Sequence, residues 1–243
     1  RGLRVHTTIR KVDQEIAQQS LRRTVLDYER RHGYRGPEAF VELKSGSEDE
    51  LDDALQDQTE SGDLLAAIVL EASPKLVKVY ARGADTVEVS GDGLKFVANA
   101  LTDKAQPNRR IRRGAIVRIQ RDEKGVWSII QLPEVEAAFV AANPQDGAVY
   151  ALVGGFDFSI NKFNHVTQAW RQPGSSFKPF IYSASLERGL TPATVINDAP
   201  IYIDPALTGG QLWEPKNYDG KFEGPMPLRT ALAKSKNMVS IRV

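Results

Sequence analysis

Gln172-Pro173-Gly174-Ser175-Ser176-Phe177-Lys178-Pro179-Phe180 is the stretch on which the reading of this 243-residue chain turns. Pro173-Gly174 signals a turn, and the apolar run Ile181-Tyr182-Ser183-Ala184-Ser185-Leu186 behind it predicts a helix. Between them lies the pattern S-x-x-K, from Ser175 to Lys178. Residues i and i+3 share a helix face, so the Lys178 amine is expected within reach of the Ser175 hydroxyl. A serine hydroxyl is a poor nucleophile until a neighbour takes its proton. A lysine does so when burial or a nearby cation lowers its pKa. The helix N-terminus adds free backbone N–H groups and the positive end of the dipole, which makes the Ser175 N–H a candidate oxyanion donor. Ser159-Ile160-Asn161-Lys162 has the same form but sits in a polar stretch with no helix pattern behind it, and reads as loop.

Downstream, Ser235-Lys236-Asn237 has the form S-x-N. It falls on a turn between two helical runs, residues 228–233 and 238 onward. A hydroxyl and an amide side by side can hold a carbonyl and relay a proton. The motif is weak alone, because Ser and Asn are common in turns, and strong when it follows S-x-x-K in order. Upstream, residues 137–142 and 148–153 are apolar runs joined by Asn143-Pro144-Gln145-Asp146-Gly147, which predicts a hairpin.

Farther upstream the pattern changes. Runs at 64–70, 76–81, 86–89, 115–119 and 126–130 are β-rich and separated by turn signals such as Ser73-Pro74 and Gly91-Asp92-Gly93. Five short strands in this span suit a small barrel of the OB type. Arg109, Arg110, Arg112, Arg113, Arg118 and Arg121 make one edge basic, facing the acidic segment or an acidic partner. Stacking platforms are sparse (Tyr80, Phe96 and Trp127), which disfavours nucleic acid. Residues 45–63 are acidic and read as a short helix or mobile loop forming a boundary, with a capping box at Ser47 and Glu50. A helix is expected over residues 11–32, with Ala17, Leu21, Val25 and Tyr28 on one face and Arg22, Arg23, Arg30 and Arg31 on a solvated one. Residues 3–9 alternate as a strand.

Composition narrows the chemistry. The chain is 41% hydrophobic and 26% charged with a net charge of +1, the balance of a globular protein with no overall pull towards nucleic acid or anionic membrane. With no cysteine there is no disulfide scaffold, thiol nucleophile or Cys-ligated metal. His6, His32 and His165 are too scattered for a ligand pair, which disfavours a metal site or a Ser-His-Asp triad. No cofactor is expected.

S-x-x-K followed by S-x-N is the order found in penicillin-binding proteins and class A β-lactamases. The resemblance extends further. Phe163-Asn164, Gln168-Ala169 and the stretch from Gln172 to Phe180 resemble the nucleophile segment of class A penicillin-binding proteins. Trp213-Glu214-Pro215-Lys216-Asn217-Tyr218-Asp219-Gly220 and Leu228-Arg229-Thr230-Ala231-Leu232 resemble the stretch before the family's S-x-N. Val5-His6-Thr7-Thr8-Ile9 and Arg30-Arg31-His32-Gly33-Tyr34-Arg35-Gly36-Pro37 look like the connection leaving its glycosyltransferase domain. An OB-like insertion is typical of the Gram-negative 1a subtype.

The resemblance implies an α+β multidomain chain: an OB-like β-barrel plus part of a transpeptidase domain of the penicillin-binding and serine β-lactamase-like type, a sheet flanked by helices. The expected division is a strand-helix linker over 1–44 packing with the transpeptidase domain, an acidic connection over 45–63, the insertion over 64–133 and the transpeptidase part over 134–243. It also implies a D,D-transpeptidase in which Ser175 is the nucleophile and Lys178 the base, assisted by Ser235 and Asn237. Peptidoglycan stem peptides and β-lactams would be its ligands, with an outer-membrane lipoprotein activator as a possible partner of the insertion. The expected location is the periplasmic side of the inner membrane, with the anchor and glycosyltransferase domain upstream. The third motif, Lys-Thr-Gly, does not follow Ser235, so the chain alone is expected to be a poor catalyst. Lys44-Ser45-Gly46 precedes the nucleophile and is set aside. The alternatives are a β-lactam-recognising serine hydrolase or sensor, and a non-catalytic docking module.

Overall fold

A computed structural model describes residues 2–83 and 85–243; Arg1 and Ala84 lie outside the described residues. The chain packs as two units, Arg1–Ala169 and Trp170–Val243.

The first unit opens on an extended segment rather than the expected strand. Leu3 and Val5 are 91% and 83% exposed, so the alternation has no face to bury. Thr8 Oγ1 and the Arg10 N–H donate to the carbonyls of Val149 and Tyr150 at 2.7 and 2.9 Å, which lays the segment beside the hairpin. Helix α1 (Lys11–His32) has the predicted bounds and buries Ala17, Leu21, Val25 and Leu26. Arg22 leaves the solvated face expected of it. Its guanidinium is held by Asp63 at 2.9 Å, Asp157 at 3.2 Å and the Ser61 carbonyl at 2.9 Å.

Beyond α1 come β1 (Ala39–Phe40), α2 (Glu48–Leu55), β2 (Leu65–Ala72), β3 (Leu76–Ala81), β4 (Asp85–Ser90), a 3-10 helix Gly91–Leu101, β5 (Ala115–Arg121) and β6 (Trp127–Ile130). All five strands read from the sequence are present. With β1 they form a six-stranded antiparallel sheet in the order β1-β5-β2-β3-β4, with β6 also on β5. Among the described strands no ladder joins β4 to β6. The 3-10 helix packs Leu94, Val97 and Leu101 against Val79, Val89 and Ile129 instead. Strand β2 is buried on both faces, Ala67 and Val69 on one side and Ala66 and Ile68 on the other, which explains its unbroken apolar run.

The second face of β2 is covered by Leu51 and Leu55 of α2, so the acidic segment lays a helix on the sheet. The expected capping box does not form, because the Ser47 N–H donates to Ser45 Oγ at 3.1 Å rather than to Glu50. Ser47 makes no side-chain cap, but the Glu50 carboxylate accepts the N–H groups of Lys44, Ser45 and Gly46. Those bonds hold its pKa down at about 2. The basic edge is largely consumed at home. Arg118, 2% exposed, forks onto Glu38 at 2.7 and 2.8 Å and donates to the Thr59 carbonyl, while Arg112 lies over Phe40 and Arg121 over Trp127. Gly114, at φ +83°, sits so close to β1's flank that a Cβ would lie 2.0 Å from the Val41 oxygen.

Hairpin β7 (Phe139–Ala142) and β8 (Val149–Val153) turns at residues 143–147 as expected, and Ala151 and Val153 pack on Leu21 and Val25 of α1. In the second unit, a 3-10 turn Gly174–Phe177 leads into α3 (Lys178–Glu187). A ladder follows between β9 (Val195–Asp198) and β10 (Gly224–Pro227), then α4 (Leu228–Ala233) and α5 (Asn237–Arg242). Tyr182, Met226, Leu228, Ala231 and Val239 form its core. No helix among the described residues is long and apolar enough to cross a membrane.

Candidate active site

Ser175 sits on the 3-10 turn and is exposed, whereas Lys178, one turn on, is 7% exposed. The i, i+3 spacing brings Lys178 Nζ to 3.2 Å from Ser175 Oγ. The same amine reaches Ser235 Oγ at 2.9 Å, the Ser235 carbonyl at 2.6 Å and Asn237 Oδ1 at 2.7 Å. All four residues picked from the sequence therefore meet on one nitrogen. Burial pushes the Lys178 pKa below its ordinary value.

The acceptors sort the amine's hydrogens. The Ser235 carbonyl and Asn237 Oδ1 only accept, and the Asn237 amide is oriented by its Nδ2, which donates to the Lys216 carbonyl at 2.8 Å. A neutral amine spends its two hydrogens on these two oxygens. Its lone pair is then left for a hydroxyl proton, with Ser175 and Ser235 as the two hydroxyls in reach.

Ser235 owes its position to the end of α4. Its N–H donates to the Leu232 carbonyl at 2.9 Å and the Lys236 N–H to the Ala231 carbonyl at 2.9 Å, the paired bonds of a Schellman motif. The residue at this corner must be left-handed, and Ser235 has φ +54°, the single positive φ of a non-glycine residue among those described. Lys236, next in line, is turned inward. Its side chain is 3% exposed and lies 2.8 Å from Glu223, 3.3 Å from Asp219 and 3.5 Å from the fully buried Asp198. The Glu223 hydrogen bond is the main cause that raises the Lys236 pKa and keeps it charged.

Asn217 completes the frame. Its Nδ2 donates to Asp198 Oδ1 and to the Lys221 carbonyl, both at 2.7 Å, and its Oδ1 accepts the Asn237 N–H at 2.8 Å. Sequence reading had included Asn217 and Lys236 in motifs without assigning them a task. It missed Asp198, which carries no local signal because β9 brings it in only through the ladder with β10. A cleft of about 510 Å³ opens beside Ser175 and Lys178, walled by Phe177, Ile181, Trp213 and Pro215.

The rejected patterns stay apart. Ser159 Oγ donates to its neighbour Asp157 at 2.6 Å in a run of turns, and the N–H groups of Lys44, Ser45 and Gly46 serve Glu50. His32 and His165 each lie 2.8 Å from a backbone carbonyl, that of Tyr28 and that of Gly154.

Comparison with known families matches residues 34–135 to the penicillin-binding protein OB-like domain and residues 137–243 to the penicillin-binding protein transpeptidase domain. The chain belongs to the penicillin-binding proteins. Among relatives of this family, it is 42% identical to penicillin-binding protein 1A of Neisseria lactamica over the whole chain and 31% of that protein. It is also 42% identical to penicillin-binding protein 1A of Pseudomonas aeruginosa, over 30% of that protein. The crystal structure of penicillin-binding protein 1A from Haemophilus influenzae superposes with a TM-score of 0.83 at 33% identity, covering 97% of this chain and 34% of that one. The resemblance to the class A, 1a subtype is thus borne out, and so is the pairing of an OB-like with a transpeptidase domain. The chain spans about a third of the length of these penicillin-binding proteins.

Proposed function

We propose that this chain is the central part of a bifunctional peptidoglycan synthase and cross-links stem peptides through an acyl-enzyme on Ser175. The observation that carries the reading is the buried Lys178 amine, 3.2 Å from Ser175 Oγ and 2.9 Å from Ser235 Oγ. Lys178 takes the hydroxyl proton as Ser175 Oγ attacks the carbonyl between the last two D-alanines of a stem peptide. The C–N bond breaks, the proton passes to the departing amine, and D-alanine leaves. Ser235, on the far side of Lys178, is the relay for that proton. Asn237 orients the amine and offers an amide to the substrate. The side-chain amine of a neighbouring stem then attacks the ester, restoring Ser175 and forming the cross-link. A β-lactam follows the first half of this path and stays attached.

The wider setting belongs to the same proposal: the periplasmic face of the inner membrane, an anchor and glycosyltransferase domain elsewhere in the protein, and an outer-membrane lipoprotein activator on the OB-like domain. The match to that domain favours a synthase over a β-lactamase or sensor. The test is D-alanine release from a stem pentapeptide by the full-length protein. Release that disappears in Ser175→Ala and in Lys178→Ala is the expected result. Release that survives in Ser175→Ala overturns the proposal.

A further inference from the structure

The four site residues meet on Lys178, but Ser235 and Asn237 do not hold themselves there. Ser235 occupies a left-handed corner that suits glycine, and Asn237 is the first residue of a helix only six residues long. Something beyond the local sequence must keep the two at their distances from the amine. We propose that Asn217, Asp198 and Lys236 are positioning residues that hold Ser235 and Asn237 around Lys178. This inference rests on the transpeptidase reading of the same site.

The argument runs through the Asn217 amide. Both of its N–H bonds are taken, one by Asp198 Oδ1 and one by the Lys221 carbonyl. Turning the amide over would aim its oxygen at a carboxylate and a carbonyl, so one orientation remains. That orientation puts Oδ1 towards the start of α5, where it accepts the N–H groups of Asn237 at 2.8 Å and Met238 at 3.3 Å. Asp198 thereby decides where α5 begins and where the Asn237 side chain stands. The second tie is Lys236. Its backbone N–H closes the Schellman corner, and its ammonium is drawn into Asp198, Asp219 and Glu223. A corner of this kind commonly closes on an apolar contact by this residue. Here a buried charge does that work, and Asp198 serves both ties, since its Oδ2 faces Lys236 and also accepts the Glu223 N–H at 3.0 Å.

Two pairs of variants of the full-length protein test this. Asn217→Asp turns a donor into an acceptor opposite Asp198, and adding Asp198→Asn restores one donor between the two positions at unchanged total charge. Lys236→Met removes the buried charge, and Lys236→Arg keeps it. Each is followed by thermal melting and by benzylpenicillin acylation, with the first-order step separated from drug affinity. Among folded proteins, Asn217→Asp and Lys236→Met are expected to lose on the order of a hundredfold in the first-order step, the scale of an ångström's misplacement. The charge-conserving double variant and Lys236→Arg are expected to regain most of it. A folded Asn217→Asp or Lys236→Met that acylates at the wild-type rate overturns the inference. Should neither fold, the double variant and Lys236→Arg decide: folding regained without acylation also overturns it. Wild-type acylation at Ser175 with variants indifferent to these changes leaves the transpeptidase reading intact, whereas an adduct on another residue removes both.

Discussion

Replacing Ser235 by glycine is expected to move stability and activity in opposite directions. Ser235 is held at φ +54° at the end of α4, a conformation that costs an L-residue about 1–2 kcal/mol and glycine nothing. Glycine returns some of that gain by loosening the unfolded chain, worth about 0.4–1 kcal/mol. The lost hydroxyl costs little, because Lys178 Nζ has four oxygens within reach and at most three hydrogens to give them. The Ser235 carbonyl, which needs only the backbone, remains. The balance is a stabilisation of about 0.5–1 kcal/mol, read as a higher urea midpoint at unchanged m-value. Acylation should fall, because the relay hydroxyl is gone. A variant less stable than wild type by about 1 kcal/mol or more would refute the reasoning, since the left-handed corner would then not be strained. So would a stabilised variant that acylates as fast as wild type.

Acylation by benzylpenicillin should rise with pH along an acid limb set by Lys178. Since burial lowers that pKa, the limb's midpoint should lie below the ordinary lysine range, and a midpoint at or above it would contradict the role of neutral amine. By the same shift the folded state binds fewer protons than the unfolded chain between the two pKa values, so this group's contribution to stability should rise with pH across that window. In the OB-like domain, Arg118→Ala should cost about 1.5–3 kcal/mol in chemical denaturation, because it removes a buried side chain that donates to Glu38 and to the Thr59 carbonyl. Gly114→Ala should unfold or rearrange the edge at β1, since the added carbon has only 2.0 Å to the Val41 oxygen; a wild-type melting curve would contradict that contact.

The sequence carried those parts of the fold in which chemistry repeats or spacing is local. α1, the β7–β8 hairpin and five of the sheet's six strands follow from periodicity and turn residues. Lys178 reaching Ser175 follows from helix geometry, and the Ser235 corner from a turn between two apolar helical runs. What stayed hidden is what long-range pairing makes. β10 holds two prolines in four residues and gives no strand pattern, yet its ladder with β9 puts the buried Asp198 beside Asn217. β1 is two residues long, too short for any period. The segment at 3–9 shows the reverse error: alternation was present, but the neighbouring hairpin offers it two hydrogen bonds and no apolar face.

The most direct measurement is the intact mass of the full-length protein after incubation with benzylpenicillin, with peptide mapping of any adduct and Ser175→Ala beside it. The account predicts one penicilloyl group, on the peptide that contains Ser175, and none in the variant. An adduct that persists in Ser175→Ala, or that maps to Ser235 or elsewhere, would contradict it.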